Sequence, residues 1–300
     1  MSMRFRSLLV IMPVLIVLSV LPARAWDETG HKVAAYIAWQ RMTPEARQAV
    51  SNLLRYAPPR SNLLELRPAS DDGMVHFMRA SYWPDLVRNQ AFPERFETYH
   101  RAAWHFTNIY WEESAEGVVI REDLDPAEIN VVERLYRLEE LARTDLVTRA
   151  QKAVLIAWLA HLAGDIHQPL HASSRITSAE PQGDRGGNLF ELEGEDNLHA
   201  YWDRALYDAF ERQVGETEVD YVARIASSLM SAHAPPSDVD FDYQDWAERS
   251  FQIASRDLYD EIARGEEPSI AYQEMAQATA AESVTLAGYR LGELMNAIFG

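Results

Sequence analysis

The chain has 300 residues and no cysteine, which excludes disulfide bonds as a source of stability and leaves packing or bound metals to supply it. Its 46 acidic and 28 basic residues give a formal charge of −18 at pH 7, which argues against a protein that holds nucleic acid on a broad basic face. Any affinity for phosphate must therefore be local, and the ordinary consequence of the acidity is solubility.

The first 25 residues have the pattern of a signal peptide. Two arginines precede an apolar run from Leu8 to Leu21, and the run is followed by Ala23-Arg24-Ala25. The run is short for a membrane span and Pro13 interrupts it, so cleavage after Ala25 is favoured over a single membrane anchor. We expect a periplasmic or secreted mature chain that begins at Trp26 and has no stable membrane association. Removal of residues 1–25, which hold three arginines and no acidic residue, makes the formal charge −21.

Residues 26–300 are predicted to form one mainly α-helical domain. No linker rich in Pro, Gly or Ser and no internal repeat divides them, and helical spacing of apolar residues recurs along most of their length. Thr43 followed by Pro44 is typical of an N-cap and a first helical position. Helices are predicted at Lys32–Gln40, Pro44–Tyr56, Pro126–Arg143, Thr148–Asp165, Ala200–Arg212, Glu218–Ala232, Tyr243–Arg264 and Pro268–Ile298.

Two short stretches alternate in the manner of β-strands. They are Trp104–Trp111 and Asn188–Leu192, and Gly186-Gly187 supplies a turn before the second. Neither stretch is enough for a large sheet. The sequence therefore predicts a helical fold with short β-hairpin segments.

The richest set of metal-binding side chains lies between His161 and His171, in the sequence HLAGDIHQPLH. His161 and Asp165 are four residues apart, so on a helix their side chains share one face. Pro169 ends the helix, which lets the chain bring His171 back toward the same point. Imidazole and carboxylate groups at such spacing are typical ligands of zinc.

A second pair, His199 and Asp203, repeats the four-residue spacing. A single helical His/Asp pair is more often an ion pair than a metal site, but two pairs together with His171 favour metal binding. Five of the nine histidines fall in candidate ligand motifs, namely His31, His105, His161, His171 and His199. The other four, His76, His100, His167 and His233, are expected to be structural or surface residues.

Six segments spread over residues 26–300 resemble the S1/P1 nuclease family, in the family's order. They are Trp26–His31, Ser81–Asp85, Trp104–Phe106, His161–His171, Gly186–Asn188 and Asn197–Asp203. The GDIHQPLH sequence is the most specific of them, Gly-Gly-Asn is moderately specific, and Trp-His-Phe is weak. The resemblance implies a mostly helical fold with three zinc ions in a cleft.

The resemblance also implies a ligand set for each of the three zinc ions. The sets are Asp85, His105, His161 and one oxygen of Asp165; the amino nitrogen and carbonyl oxygen of Trp26 with His31 and the other oxygen of Asp165; and His171, His199 and Asp203. Asp165 would then bridge two of the metals. Such a site leaves room for water or a phosphate oxygen, which distinguishes catalytic from structural zinc.

Substrate contacts are implied as well. Arg88 matches a basic residue that contacts the phosphate, and we group it with Asp85 and Asp165 as catalytic; the alternative for Arg88 is a surface ion pair. Phe106 matches an aromatic position on which a base stacks, although core packing is an alternative. Asn108 stands where an acidic residue often assists base binding, and Asn188 ends the Gly-Gly-Asn segment. These residues are the expected substrate-binding set.

The implied activity is zinc-dependent cleavage of single-stranded DNA or RNA to 5′-phosphorylated products by a monomer, with activity on 3′-nucleotides. Bacterial zinc phospholipase C is an alternative, because it shares the N-terminal Trp and much of the ligand set. Its last ligand is typically Glu, whereas this chain has Asp203. An alternative of another class is a non-catalytic zinc-binding protein of the cell envelope.

Overall fold

The computed structural model describes residues 26–124 and 126–300, so the predicted signal peptide lies outside the described residues. The described part contains eleven α-helices and three short strands. The helices are α1 Glu28–Arg41, α2 Pro44–Leu54, α3 Gly73–Ala80, α4 Trp83–Leu86, α5 Pro93–Tyr99, α6 Val131–Arg143, α7 Arg149–Asp165, α8 Leu198–Ala209, α9 Glu218–Ala232, α10 Tyr243–Ile253 and α11 Ile270–Phe299. The strands are β1 Ile109–Ser114, β2 Gly117–Ile120 and β3 Ser173–Arg175. The predicted mainly α fold is confirmed.

Capping side chains decide where the helices begin. Thr43 Oγ1 accepts a hydrogen bond from the backbone of Ala46 at 3.1 Å, as the sequence predicted for α2. Thr148 and Gln151 form a capping box at the start of α7. The predicted start of α6 at Pro126 is wrong, because the side chain of Asn130 caps the helix and α6 begins only at the next residue.

The strand predictions are partly wrong. In the first stretch, residues Ala102–His105 form a 3₁₀ turn and β1 begins only at Ile109. The second stretch, Asn188–Leu192, forms no strand and has a single β-bridge, between Leu192 and Glu195. The sheet has the order β2-β1-β3, with β1 antiparallel to β2 and parallel to β3.

Other elements differ from the predictions because of their length or geometry. Helices α3, α4 and α5 were not predicted, since they have only 8, 4 and 7 residues and are too short for a clear 3.6-residue period. The predicted helix over Tyr243–Arg264 ends as an α-helix at Ile253 and continues as a π-helical turn, Ala254–Leu258.

The core is built around α7, which is buried on all sides in its second half, and around the close contact of α1 with α11. A Cβ atom at Gly288 of α11 would lie 2.6 Å from Cβ of Ile37 on α1, so the glycine lets the two helices approach. The C-terminal end of α7 lies in the interior. Among the described residues, no helix is both long enough and apolar enough to cross a bilayer.

Candidate metal centre

The last turn of α7 places Asp165 at the centre of a group of histidines, with no exposed side-chain surface. Its Oδ1 lies 3.3 Å from Nε2 of His31 on α1. Its Oδ2 lies 3.0 Å from Nδ1 of His105 and 3.3 Å from Nε2 of His161. The two oxygens of one carboxylate thus face different histidines.

Neighbouring elements complete this group. Asp85, on the short helix α4, brings Oδ1 to 4.0 Å from Nε2 of His161. His31 packs against α7 where Gly164 leaves space, because a Cβ atom there would lie 2.7 Å from Nδ1 of His31. The side chains of His31, Asp85 and His161 offer ligand atoms within 4.8 Å of one another, and so do those of His105, His161 and Asp165.

A third group consists of His171, His199 and Asp203, whose ligand atoms also lie within 4.8 Å of one another. His171 lies in a 3₁₀ turn, Pro169–Ala172, that begins four residues after the end of α7, as the position of Pro169 predicted. His199 and Asp203 lie one turn apart on α8, with Nε2 and Oδ1 separated by 3.7 Å. All three side chains are buried.

Backbone carbonyls orient three of the histidines. In each case the Nδ1–H group donates to a carbonyl oxygen, which leaves the lone pair of Nε2 directed at the group of ligand atoms. The bonds run from His161 to Ser81 at 2.8 Å, from His171 to His105 at 2.5 Å, and from His199 to Gly186 at 2.7 Å. This is the outer-sphere arrangement that metal-binding histidines require.

Burial adjusts the charge of the ligands. It lowers the pKa of His31 and His105 well below the ordinary value and that of His161 to about 3, which keeps the imidazoles neutral, the form that binds metals. Burial raises the pKa of Asp165 and Asp203 well above the ordinary value, so these carboxylates need a nearby cation to stay charged.

Several buried polar atoms in the first two groups of metal-binding side chains have no hydrogen-bond partner among the described residues. They include Oδ2 of Asp85, Oδ1 of Asp165, Nε2 of His105 and both ring nitrogens of His31. Unsatisfied buried polar atoms are rare and costly, and bound divalent cations would satisfy the carboxylate oxygens and the imidazole nitrogens that carry a lone pair. The mixed nitrogen and oxygen ligands fit zinc.

Two further predicted site residues lie beside these groups. Trp26 is fully buried, and the adjacent backbone N–H of Asp27 donates to the carbonyl of Asp203 at 2.9 Å. The contribution of the Trp26 backbone to metal binding stays a prediction. Arg88 donates to Oδ1 of Asp85 at 2.6 Å in a pair whose side chains are about 10% and 4% exposed, so Arg88 is held inside the site and not on the open surface.

The three predicted substrate-binding residues lie in one cavity of about 850 Å³. Phe106, Asn108 and Asn188 line it together with His199 of the third metal group. Phe106 is half-buried, so its ring is partly accessible from the cavity. The structure therefore brings the expected substrate contacts and the metal centre together.

One positioning residue was missed in the sequence. Nε2 of Gln168, a fully buried side chain, donates to Oδ1 of Asp203 at 2.7 Å, and its Oε1 accepts from the backbone of Leu170 at 2.6 Å. Its place inside the GDIHQPLH sequence was the available signal. His167 of the same sequence lies outside the three groups, where it bonds to Ala163 and Arg290.

Fold and site together define a mainly helical protein with three buried groups of histidine and aspartate side chains that could hold metal ions, one of them at a cavity. The S1/P1 Nuclease family model matches residues 26–300. Endonuclease 1 of Arabidopsis thaliana is 24% identical over all of this chain and 96% of its own length. Endonuclease 2 of the same plant is 25% identical over 92% of this chain and 91% of its own length.

The chain belongs to the S1/P1 nuclease family, which confirms the resemblance seen in the sequence. The family and its endonuclease relatives support a hydrolase that acts on phosphodiester bonds.

Proposed function

We propose that this protein is a zinc-dependent endonuclease that cleaves single-stranded DNA or RNA to 5′-phosphorylated products and also hydrolyses 3′-nucleotides, as a monomer. The observation that supports this most strongly is the position of Asp165, whose two oxygens face different histidines. A cavity large enough for a nucleotide is lined by His199 of the third metal group.

Three zinc ions would be held by the ligand sets implied by the sequence. Asp85, His105 and His161 would hold one ion and His31 and Trp26 a second, with Asp165 contributing to both. The third ion would be held by His171, His199 and Asp203, whose ligand atoms lie within 4.8 Å of one another. Bound zinc would supply Lewis acidity toward the phosphate and lower the pKa of a water molecule. Three zinc ions would carry more positive charge than the carboxylates of Asp85, Asp165 and Asp203 offset, so the centre would attract an anionic phosphate into a protein of net negative charge.

The side chains around the metal groups bind and orient the substrate. Arg88, held by Asp85, places a guanidinium next to the reacting phosphate, where it stabilises the negative charge that develops during hydrolysis. Phe106 offers a ring for stacking of an unpaired base, and a base within a duplex is not available for such a contact. Asn108 and Asn188 contact the base or sugar within the same cavity.

A substrate panel tests this function. The purified protein loaded with zinc is assayed on single-stranded DNA, single-stranded RNA, duplex DNA, 3′-AMP and phosphatidylcholine, with the Asp165→Asn variant as the background control. We expect cleavage of both single-stranded substrates and of 3′-AMP, slower cleavage of duplex DNA, and no release of choline phosphate. Hydrolysis of phosphatidylcholine alone would favour a phospholipase C, and zinc binding without any hydrolysis would favour a storage protein.

We further propose that the protein is periplasmic or secreted and that removal of residues 1–25 completes the zinc site. The amino nitrogen of Trp26 can bind metal only after the bond to Ala25 is cut, because an amide nitrogen is a poor ligand and the free α-amino group has a pKa of about 7.7–8.0. A chain with one extra Met before Trp26 should bind less zinc and hydrolyse substrate slowly. Cleavage directly before Trp26 by a site-specific protease should restore zinc binding and hydrolysis. Full activity of the extended chain would exclude Trp26 as a ligand.

A further inference from the structure

We propose that Arg185 binds a phosphate of the substrate other than the one that is cleaved, and so favours polynucleotides over mononucleotides. This inference rests on the proposed nuclease function. Arg185 was not among the site residues predicted from the sequence. Arg185 is exposed and lines the same cavity as Phe106, Asn188 and the metal-site residue His199.

The backbone at Arg185 adopts a conformation that non-glycine residues rarely take. Its φ is 58°, in the left-handed region, while the next two residues are glycines that also have positive φ. Such conformations persist only where the surroundings enforce them, and they concentrate at functional sites. An arginine at this position therefore suggests a role for its side chain, because glycine would fit the turn with less strain.

The loop that carries Arg185 is fixed on both sides. The preceding residue, Asp184, is fully buried and accepts hydrogen bonds from the hydroxyl of Tyr259 at 2.7 Å and from the backbone N–H of Arg175 at 3.0 Å. The following residue, Gly186, accepts the 2.7 Å bond from Nδ1 of His199. A rigid loop thus holds Arg185 in a defined position relative to the metal centre.

No carboxylate of the described residues pairs with the guanidinium of Arg185. Within the described ranges, Arg185 forms no ion pair within 4.0 Å, whereas Glu180 of the same cavity pairs with Arg264 at 3.0 Å. In a chain whose acidic residues greatly outnumber its basic ones, most arginines find a carboxylate, and an exposed guanidinium facing a substrate cavity is suited to an anionic ligand.

The chemistry of the ligand follows from the exposure of Arg185. The phosphate that reacts would lie at the buried metal groups beside Arg88, whereas Arg185 is exposed at the cavity, so a strand that continues toward solvent would pass it. A phosphodiester of a neighbouring nucleotide is the anion that reaches this position. A mononucleotide has no such second phosphate.

Steady-state kinetics on two substrates test the proposal. One substrate is bis(p-nitrophenyl) phosphate, which carries a single phosphate, and the other is a single-stranded oligothymidylate of about ten nucleotides, within the footprint of known single-strand binding folds. The variants are Arg185→Gln and Arg185→Gly, which both remove the charge, and Arg185→Lys, which keeps it. The glycine variant is compatible with φ of 58°, so a defect in it cannot arise from backbone strain.

For the oligonucleotide, Arg185→Gln and Arg185→Gly should raise KM roughly 3- to 10-fold with kcat retained, as expected for loss of one charge-assisted contact at a partly exposed site. The slope of log(kcat/KM) against log salt should become shallower by about 0.7, the value for one phosphate contact on a single strand. Hydrolysis of bis(p-nitrophenyl) phosphate should not change, and Arg185→Lys should keep the steeper slope.

Arg256→Gln is the matched control, because Arg256 is also exposed but lies in a different depression near β2. An equal loss in this control would indicate a general effect of charge and overturn the proposal. Unchanged KM in the Arg185 variants, or an equal loss on both substrates, would also overturn it. Failure of the unsubstituted protein to cleave any oligonucleotide would instead refute the proposed nuclease function, and with it the substrate assigned to Arg185.

Discussion

Replacing Asp165 by Asn should remove more activity and more stability than any other single ligand substitution. The carboxylate has no exposed surface, and its two oxygens lie 3.0 to 3.3 Å from nitrogens of His31, His105 and His161. Asn keeps the size of the side chain but replaces one ligand oxygen by an amide group and removes the negative charge. His161→Ala should have a smaller effect, because the implied ligand sets assign His161 to one zinc ion and Asp165 to two.

The expected loss of stability in Asp165→Asn follows from the coupling of metal binding to folding. If affinity for each of the two bridged metals falls about 100-fold, the stabilisation by saturating zinc falls by about 2.7 kcal/mol per metal, or about 5 kcal/mol in all. At roughly 2–4 °C per kcal/mol for a protein of this size class, Tm should fall by about 10–20 °C. Activity should fall by orders of magnitude, since both metals are weakened together.

The assay compares Tm, zinc content and cleavage of single-stranded DNA for the wild type and Asp165→Asn, with and without EDTA. In EDTA the variant should be at least as stable as the wild type, because burial, with the charge of Asp85 as the next cause, raises the pKa of Asp165 and makes its charged form unfavourable. Asp257→Asn, an exposed substitution of the same type, serves as the control. Near-normal zinc content and activity in Asp165→Asn would refute the bridging role.

Three other substitutions probe neighbouring groups. Arg88→Ala should lower kcat about 10- to 100-fold with zinc content unchanged. An unchanged kcat would show that Arg88 only forms an ion pair with Asp85 and does not act on the substrate. Gln168→Leu should weaken zinc binding at the third group about 10- to 100-fold in a chelator competition, and an unaltered affinity would remove Gln168 from the support of Asp203. Burial lowers the pKa of His76, so the unfolded chain binds more protons and stability is lost as pH falls below about 6.5. In EDTA, His76→Gln should show a smaller loss of unfolding free energy between about pH 7 and pH 5, and an identical loss would contradict this assignment.

Local patterns in the sequence predicted the parts of the structure that depend on neighbours along the chain. The four-residue spacing of His161 and Asp165 placed both on one helix face, and the structure shows them on the last two turns of α7. Pro169 correctly marked the turn that brings His171 back. The same reasoning failed for α6, where the cap at Asn130 outweighed the earlier proline.

Contacts between distant parts of the chain could not be predicted from these local sequence patterns. The bond from Gln168 to Asp203 joins residues 35 positions apart, and the bond from Tyr259 to Asp184 joins residues 75 positions apart. Helical or strand periodicity carries no information on such pairs, because it describes only which face of an element is buried. The positive φ of Arg185 was likewise invisible, since arginine is not a residue that marks such turns.

A zinc titration of the EDTA-treated protein tests the central claim most directly. Residues 26–300 are prepared with Trp26 as the free N-terminus, stripped of metal, and assayed for cleavage of single-stranded DNA as zinc is added in known equivalents. We expect no cleavage without metal and a rate that reaches its maximum at about three equivalents per chain, one for each implied ligand set. Cleavage by the metal-free protein, or a fully zinc-loaded protein that leaves single-stranded DNA intact, would contradict the assignment of a zinc-dependent nuclease.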